Sequence, residues 1–366
     1  AAGSSANIVS IGFGHTGSLS EGVIKIGSGI PSYAANAISI GKNTKGGIDG
    51  VSLGSNAGTA TSTAAVAIGL NSGEVGQGDF AIAIGRNTAR RNQGEKAIAI
   101  GVGSGVSAQG SSAVSLGTYD YDQYDQGSHC VSIGSNAGSI SQISEAIAIG
   151  RNAGDINQGE RAIAIGKYSG VTSQGSQSVA IGSDAGSLKQ NAYAVAIGFS
   201  AGYQGQYANS IAIGRQSGNY TQSNDAIAIG VSAGFNLQDK YGIAMGFYAG
   251  YSNQGKQGMA FGANAGETNQ GNYCQAIGGD AGRYGQLSYA VALGQSSGYR
   301  NQGVSAIAIG HGAAIYNQGY DSVAIGRLAG KNDQGYQSVA IGYTAGESYQ
   351  NTACVAIGQF AGFNRQ

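Results

Sequence analysis

The sequence predicts an all-β, parallel β-solenoid, a β-roll of about 23 coils of about 16 residues each. Three observations carry that expectation. A four-residue signature, Ile/Val-Ala/Ser-Ile/Leu-Gly, recurs from end to end. Glycine supplies 67 of 366 residues against one proline and no tryptophan, and only 10% of residues are charged. Collagen needs glycine at every third residue with abundant proline, and a disordered tail needs charge, so ordered β structure punctuated by glycine remains.

The signature glycines are Gly12, Gly27, Gly41, Gly54, Gly69, Gly85, Gly101, Gly117, Gly134 and Gly150, then every sixteenth residue to Gly358. The shorter, wandering early spacings divide the chain into irregular N-terminal coils over 1–65, a cap or junction, and a regular solenoid over 66–366. Positions one and three before each signature glycine are branched or long apolar residues, as in Ile82 and Ile84 or Val179 and Ile181. Positions two and four before it are small, as in Ala81 and Ala83. Strict alternation is the period of a strand, so the two sets point to opposite faces. The expectation drawn from residue size is that the branched columns stack into a thin core and the small columns face outward.

Two corners complete each coil. Glycine recurs four residues after the signature glycine, at Gly154, Gly186, Gly202, Gly266 and Gly330, and a Gln-Gly pair follows, as in Gln158-Gly159 and Gln254-Gly255. Glycine takes positive φ without penalty, so both predict turns. The glutamine persists where its glycine does not: Gln77, Gln93, Gln109, Gln158, Gln174, Gln206, Gln238, Gln270, Gln302 and Gln334 belong to a column that shifts by one at Gln126 and ends at Gln366. Stacked amides, each donating to the next coil, predict a ladder that pins register.

The small column, Ala83, Ala148, Ala164, Ala180, Ala212, Ala228, Ala308 and Ala340, predicts an apolar strip long enough to require a partner. By symmetry that partner is another copy of the chain, laterally or end to end, with the mid-repeat edge at Gln366 open to the next subunit's first strand.

The segments Ser178-Val179-Ala180-Ile181-Gly182 and Ala146-Ile147-Ala148-Ile149-Gly150 resemble the head repeat of trimeric autotransporter adhesins, the YadA-like head, and related repeats of viral and phage fibre proteins. The resemblance covers nearly the whole chain. It implies a left-handed parallel β-roll, three chains side by side, an extracellular, cell-surface or virion-surface location, and attachment to host or matrix. The family's unit is nearer fourteen residues, and no neck or coiled-coil stalk is visible in this sequence.

The remaining residues narrow the function. Lys plus Arg and Asp plus Glu number 19 each and lie singly, so no basic stripe exists for nucleic acid. No apolar run approaches the roughly 18 residues that span a bilayer. Cys130, Cys274 and Cys354 occupy the small column four before the signature glycine and stand coils apart, beyond the reach of an intrachain disulfide. His15, His129 and His311 fall in different columns, predicting neither a metal site nor a triad. The 21 tyrosines are the unusual enrichment: Tyr203, Tyr251 and Tyr299 follow the first corner, and Tyr193, Tyr241, Tyr273 and Tyr289 precede the signature strand, all expected outside. These readings predict a structural fibre or filament protein without cofactor or enzymatic activity. An adhesin head is the alternative, and an ice-binding solenoid a lesser one, because rows of Thr-x-Thr are missing.

Overall fold

The computed structural model describes residues 7–15, 21–30, 34–58, 62–119 and 124–365, so Gln366 of the glutamine column lies outside them. The described chain is a parallel β-solenoid of about 21 turns with coils of about 16 residues and no helix, close to the about 23 expected. It forms two compact units, Ala1–Ser178 and Val179–Gln366, each built on the same coil, and the irregular coils of 1–65 belong to the first.

The coil that starts at Ala146 shows the plan. Its signature strand, Ile147–Ile149, pairs in parallel with Val131–Ile133 before it and Ile163–Ile165 after it, placing Ala148 opposite Ala164. Its second strand, Ile156–Gln158, pairs with Ile140–Gln142 and Thr172–Gln174 only at its ends, Ile156 with Thr172 and Gln158 with Gln174. Between them Asn157 is left-handed, at φ 57°, and bends the chain. Asn152 and Arg161 are left-handed as well, at 54° and 56°. The second unit repeats this with Ser232, Leu237 and Tyr241 at 54°, 55° and 60°. A left-handed residue other than glycine costs about 1–2 kcal/mol. The ladder offsets it, since these amides donate to the preceding coil: Asn152 N to Ser135 O at 2.8 Å and Arg161 N to Ser144 O at 3.1 Å.

That geometry corrects the second corner. Gly159, Gly255 and Gly303 do not adopt the expected positive φ, and the turn is made two residues later by Arg161, Gln257 and Ser305, each at 56°. The first corner is as expected, with Gly154 at 52°.

The larger correction concerns which face is inside. Ala83, Ala148, Ala164, Ala180, Ala212, Ala228, Ala308 and Ala340 are all fully buried within the single chain and cannot form a self-association face. The flanking branched residues point outward and are half-buried, the pattern of Ile147, Ala148 and Ile149 being intermediate, buried, intermediate. The cause is the width of the coil. Gln158 on the second strand reaches the backbone of the first, its Nε2 donating to Ile147 O at 2.8 Å. The two sheets therefore lie within one glutamine side chain and a hydrogen bond of each other, closer than the about 10 Å of sheets that pack through branched side chains. Only alanine, serine and glycine fit opposite the glutamine. Clusters such as Ala137, Ala148, Ala153 and Ala164, or Ala180, Ala185, Ala196, Ala201 and Ala212, are the core.

An expected result separates the two orientations. Ala164→Arg forces a guanidinium into this dry interior and should lose its coil, at more than about 4 kcal/mol, whereas on an outward face it would leave the fold intact. Hydrogen exchange across 147–178 measures this. Native protection in the variant would refute the inward assignment.

Candidate functional site: an outward apolar face

The interior is given over to holding the coils together. Gln77, Gln93, Gln109, Gln158, Gln174, Gln206, Gln238, Gln270, Gln302 and Gln334 are each at most 4% exposed. In the second unit Nε2 of each glutamine from Gln190 to Gln286 donates to Oε1 of the next, at 2.9–3.3 Å, as far as Gln302. All of these Nε2 atoms but that of Gln270, which reaches only Met259 O, also reach two carbonyls: for Gln238, Ile227 O at 2.8 Å and Gly242 O at 3.0 Å. The ladder lies in the interior rather than at a corner, and it is interrupted. Oε1 of Gln93, Gln126, Gln318 and Gln350 is buried with no donor among the described residues.

One interruption coincides with an inward tyrosine that the sequence reading missed. The coil between Gly117 and Gly134 carries an extra residue, and Tyr119 turns inward, 7% exposed. Its hydroxyl lies 3.1 Å from Ser115 Oγ and donates to Ala137 O at 3.1 Å, and burial pushes its pKa up to about 12. The missing rung is the one from Gln109 to Gln126 Oε1; beyond it Gln126 Nε2 donates to Gln142 Oε1 at 3.1 Å and to Ser132 Oγ at 3.0 Å, and Ser132 Oγ donates to the same Gln142 Oε1 at 2.7 Å. The clue was the serine at Ser115 and Ser132, where neighbouring coils carry alanine.

With the core complete without them, the branched residues form the outward face. In each regular coil two of them flank the buried alanine, so they lie about 7 Å apart along the strand and about 4.8 Å apart from coil to coil. Stacking shields each one partly, leaving Ile100, Ile133 and Ile277 at 39%, 36% and 37% exposed. In Val179–Gln366 the face runs over twelve signature strands with Gln275 its single polar member. At about 10 Å by 58 Å it presents roughly 600 Å², the upper end of what a monomer's largest apolar patch reaches.

Other outward columns carry short ladders of their own. Asn301 Nδ2 donates to Asn317 Oδ1 at 2.9 Å, and Asn317 to Asp333 at 2.8 Å. Arg161 pairs with Glu145 at 2.8 Å and holds its carboxyl below the usual range. Arg283 pairs with Glu267 at 2.5 Å and Asp280 at 3.0 Å, and stands over Tyr284 and Tyr299 at 4.9 and 5.9 Å. Tyr193, Tyr241, Tyr273 and Tyr289 are exposed, as expected, while Tyr203, Tyr251 and Tyr299 are half-buried.

Cys130 and Cys274 are fully buried in the small column, and burial pushes the Cys274 thiol up to about 11, so neither offers a sulfur to another chain. Lys25 occupies the inner column of the N-terminal coils at 3% exposure, where burial lowers its pKa. No cluster of three His, Cys, Asp or Glu side chains suited to a metal ion occurs among the described residues. No protein-family model matches the chain, and no curated protein matches it.

Proposed function

We propose that this chain is a non-enzymatic structural protein of an extracellular or virion-surface fibre, whose solenoids associate with copies of themselves through the outward isoleucine and valine face. The observation that carries the reading is that this face is surplus to folding. Alanine, glycine and glutamine complete the core, yet the columns on either side of the buried alanine stay apolar in coil after coil. A strand needs β-branched residues for its propensity, but threonine would serve that need on a solvated face. A face of about 600 Å² on each partner, widened by the flanking columns, approaches the about 800 Å² a side of a stable interface. The YadA-like resemblance favours three copies around such a face.

The triple variant Ile163→Lys, Ile227→Lys, Ile307→Lys should keep its circular dichroism and weaken self-association at least about 100-fold, because like charges then meet across the contact. The matching threonine variant should weaken it less. A wild-type chain that sediments as a monomer at micromolar concentration would refute the reading.

The adhesin alternative is favoured by one observation, the cluster of Arg283, Tyr284, Tyr299, Arg300 and Tyr316, in which Arg300 lies 5.5 Å over Tyr284. Tyrosine and arginine are the side chains that dominate binding surfaces. Glycan or matrix binding that Arg300→Ala and Tyr316→Ala abolish would support it.

A further inference from the structure

Parallel, in-register coils place like residues over one another, and at two places that brings exposed tyrosines face to face. Tyr273 and Tyr289 occupy one column of adjacent coils, with ring centroids 5.1 Å apart and planes within 3°. Tyr320 and Tyr336 do the same one position earlier in the coil, at 4.4 Å and 18°. All four are open to solvent, at 38%, 58%, 43% and 51% exposure. Their backbones are held by the ladder: Tyr289 N donates to Asn272 O at 2.9 Å, and Gln337 N to Tyr320 O at 3.0 Å. Each pair is thus aligned by the fold before any chemistry occurs.

We propose that Tyr273 with Tyr289, and Tyr320 with Tyr336, are sites of oxidative coupling to dityrosine, in which a peroxide-driven one-electron oxidant staples adjacent coils covalently. Each phenol loses one electron to the oxidant and its hydroxyl proton to water, giving a neutral phenoxyl radical with unpaired spin on the carbons ortho to oxygen. Two such radicals form one carbon–carbon bond between ortho carbons. Each ring then moves the hydrogen from its bonded carbon to its own oxygen and recovers its aromaticity. The pair has given up two electrons and two protons, which reduce one hydrogen peroxide to two waters.

Geometry and exposure together select these pairs from the other tyrosines: Tyr248 and Tyr251 also stack, at 4.9 Å and 29°, but both are half-buried and they lie three residues apart, so their coupling would not join adjacent coils. A near-parallel stack holds the two rings side by side within about one ring's width, so a swing of both side chains about their β-carbons brings two ortho carbons together. Tyr284 with Tyr299, and Tyr299 with Tyr316, meet edge to face at 89° and 82° and 5.6 and 6.5 Å, which aims ring edges at ring centres. Guanidinium groups also lie over Tyr284 at 4.9 and 5.5 Å, opposing the electron-poor character that oxidation creates. The coupling needs no second chain and is independent of the self-association reading.

The test treats the full chain, dilute, with a peroxidase and hydrogen peroxide, then denatures and digests it with trypsin. Cleavage after Arg283 parts Tyr273 from Tyr289, and cleavage after Arg327 and Lys331 parts Tyr320 from Tyr336. The expected products are peptide 257–283 joined to 284–300, and 301–327 joined to 332–365, each lighter by two hydrogens than its parts and fluorescing as dityrosine. They should come from the single-chain band of a denaturing gel. Tyr289→Phe, which keeps the stacked ring, should remove the first product and spare the second, and Tyr336→Phe the reverse. Coupling of Tyr299 to Tyr316 in equal yield, cross-links confined to covalent dimers, or no dityrosine at all would overturn the proposal.

Discussion

Gln238→Ala is expected to destabilise its neighbourhood by about 3–5 kcal/mol, the combined cost of a cavity and of several lost buried hydrogen bonds. The wild-type side chain is 1% exposed and makes four of them: to Ile227 O, to Gly242 O, to Gln254 Oε1 at 2.9 Å, and from Gln222 Nε2 at 3.1 Å. Truncation leaves Gln254 Oε1 as an unpaired buried acceptor, while Gln222 Nε2 loses one acceptor and keeps Ile211 O and Ala226 O. Gln238→Glu is the sharper probe, since it keeps the volume and removes both donors. A carboxylate there meets two carbonyl oxygens in a dry interior, which raises its pKa in the folded chain. Stability should therefore fall as pH rises from about 4.3, where glutamate titrates in the unfolded chain, up to the raised folded value, and recover on acidification. A repeat array need not unfold in one step, so the measurement is hydrogen exchange over 222–254 rather than a single melting point. Loss of less than about 1 kcal/mol in the alanine variant would show that the ladder does not hold the coils together.

Gly230→Ala is expected to cost about 3 kcal/mol or more, and Gly255→Ala about 1 kcal/mol or less, although both glycines look equally crowded. At Gly230 the backbone has φ 129°, and an added β-carbon would stand 2.5 Å from the carbonyl oxygen of Gly246. A side chain there is strained by its own backbone and blocked by the neighbour's. At Gly255 the β-carbon would stand 2.6 Å from the carbonyl carbon of Gly271, but φ is not left-handed. The column itself shows how the contact relaxes. Where it carries glycine, from Gly94 to Gly335, the ladder hydrogen bond from its amide is 2.6–2.8 Å long; where it carries Asn191, Tyr207, Ser223, Asp239 or Leu287, it is 2.9–3.0 Å. The bond lengthens by between 0.1 and 0.4 Å and survives. Denaturant or exchange measurements on the two variants give the comparison, and equal losses would refute it.

The same columns explain how far the sequence could be read. Sixteen-residue spacing of the signature glycines is enough to specify a solenoid, because only stacked coils give one backbone position the same neighbour each time. Persistence of glutamine where its glycine varies marked it as a contact between coils, since Gln206 precedes Tyr207 and Gln286 precedes Leu287. Strand alternation likewise showed that Ile147 and Ala148 lie on opposite sides of the sheet.

Alternation is silent about which side is the interior. A pattern of large and small residues is symmetric under exchange of the two faces, and the rule that larger apolar residues go inside chose wrongly here. The choice depends on the distance between the two sheets, and that distance is set across the coil by Gln158 reaching Ile147 O, a contact between residues eleven apart on different strands. Left-handed bends escaped notice for a related reason. Asn157 advertises one, but Leu237 and Tyr349 occupy the same position at φ 55° and 54°, held between ladder pairs made by the residues on either side, which local propensity cannot register. Local periodicity determined that this chain coils and which residues repeat. Closure of each coil on itself, a tertiary event, decided that alanine and glutamine fill the inside and left isoleucine and valine facing out.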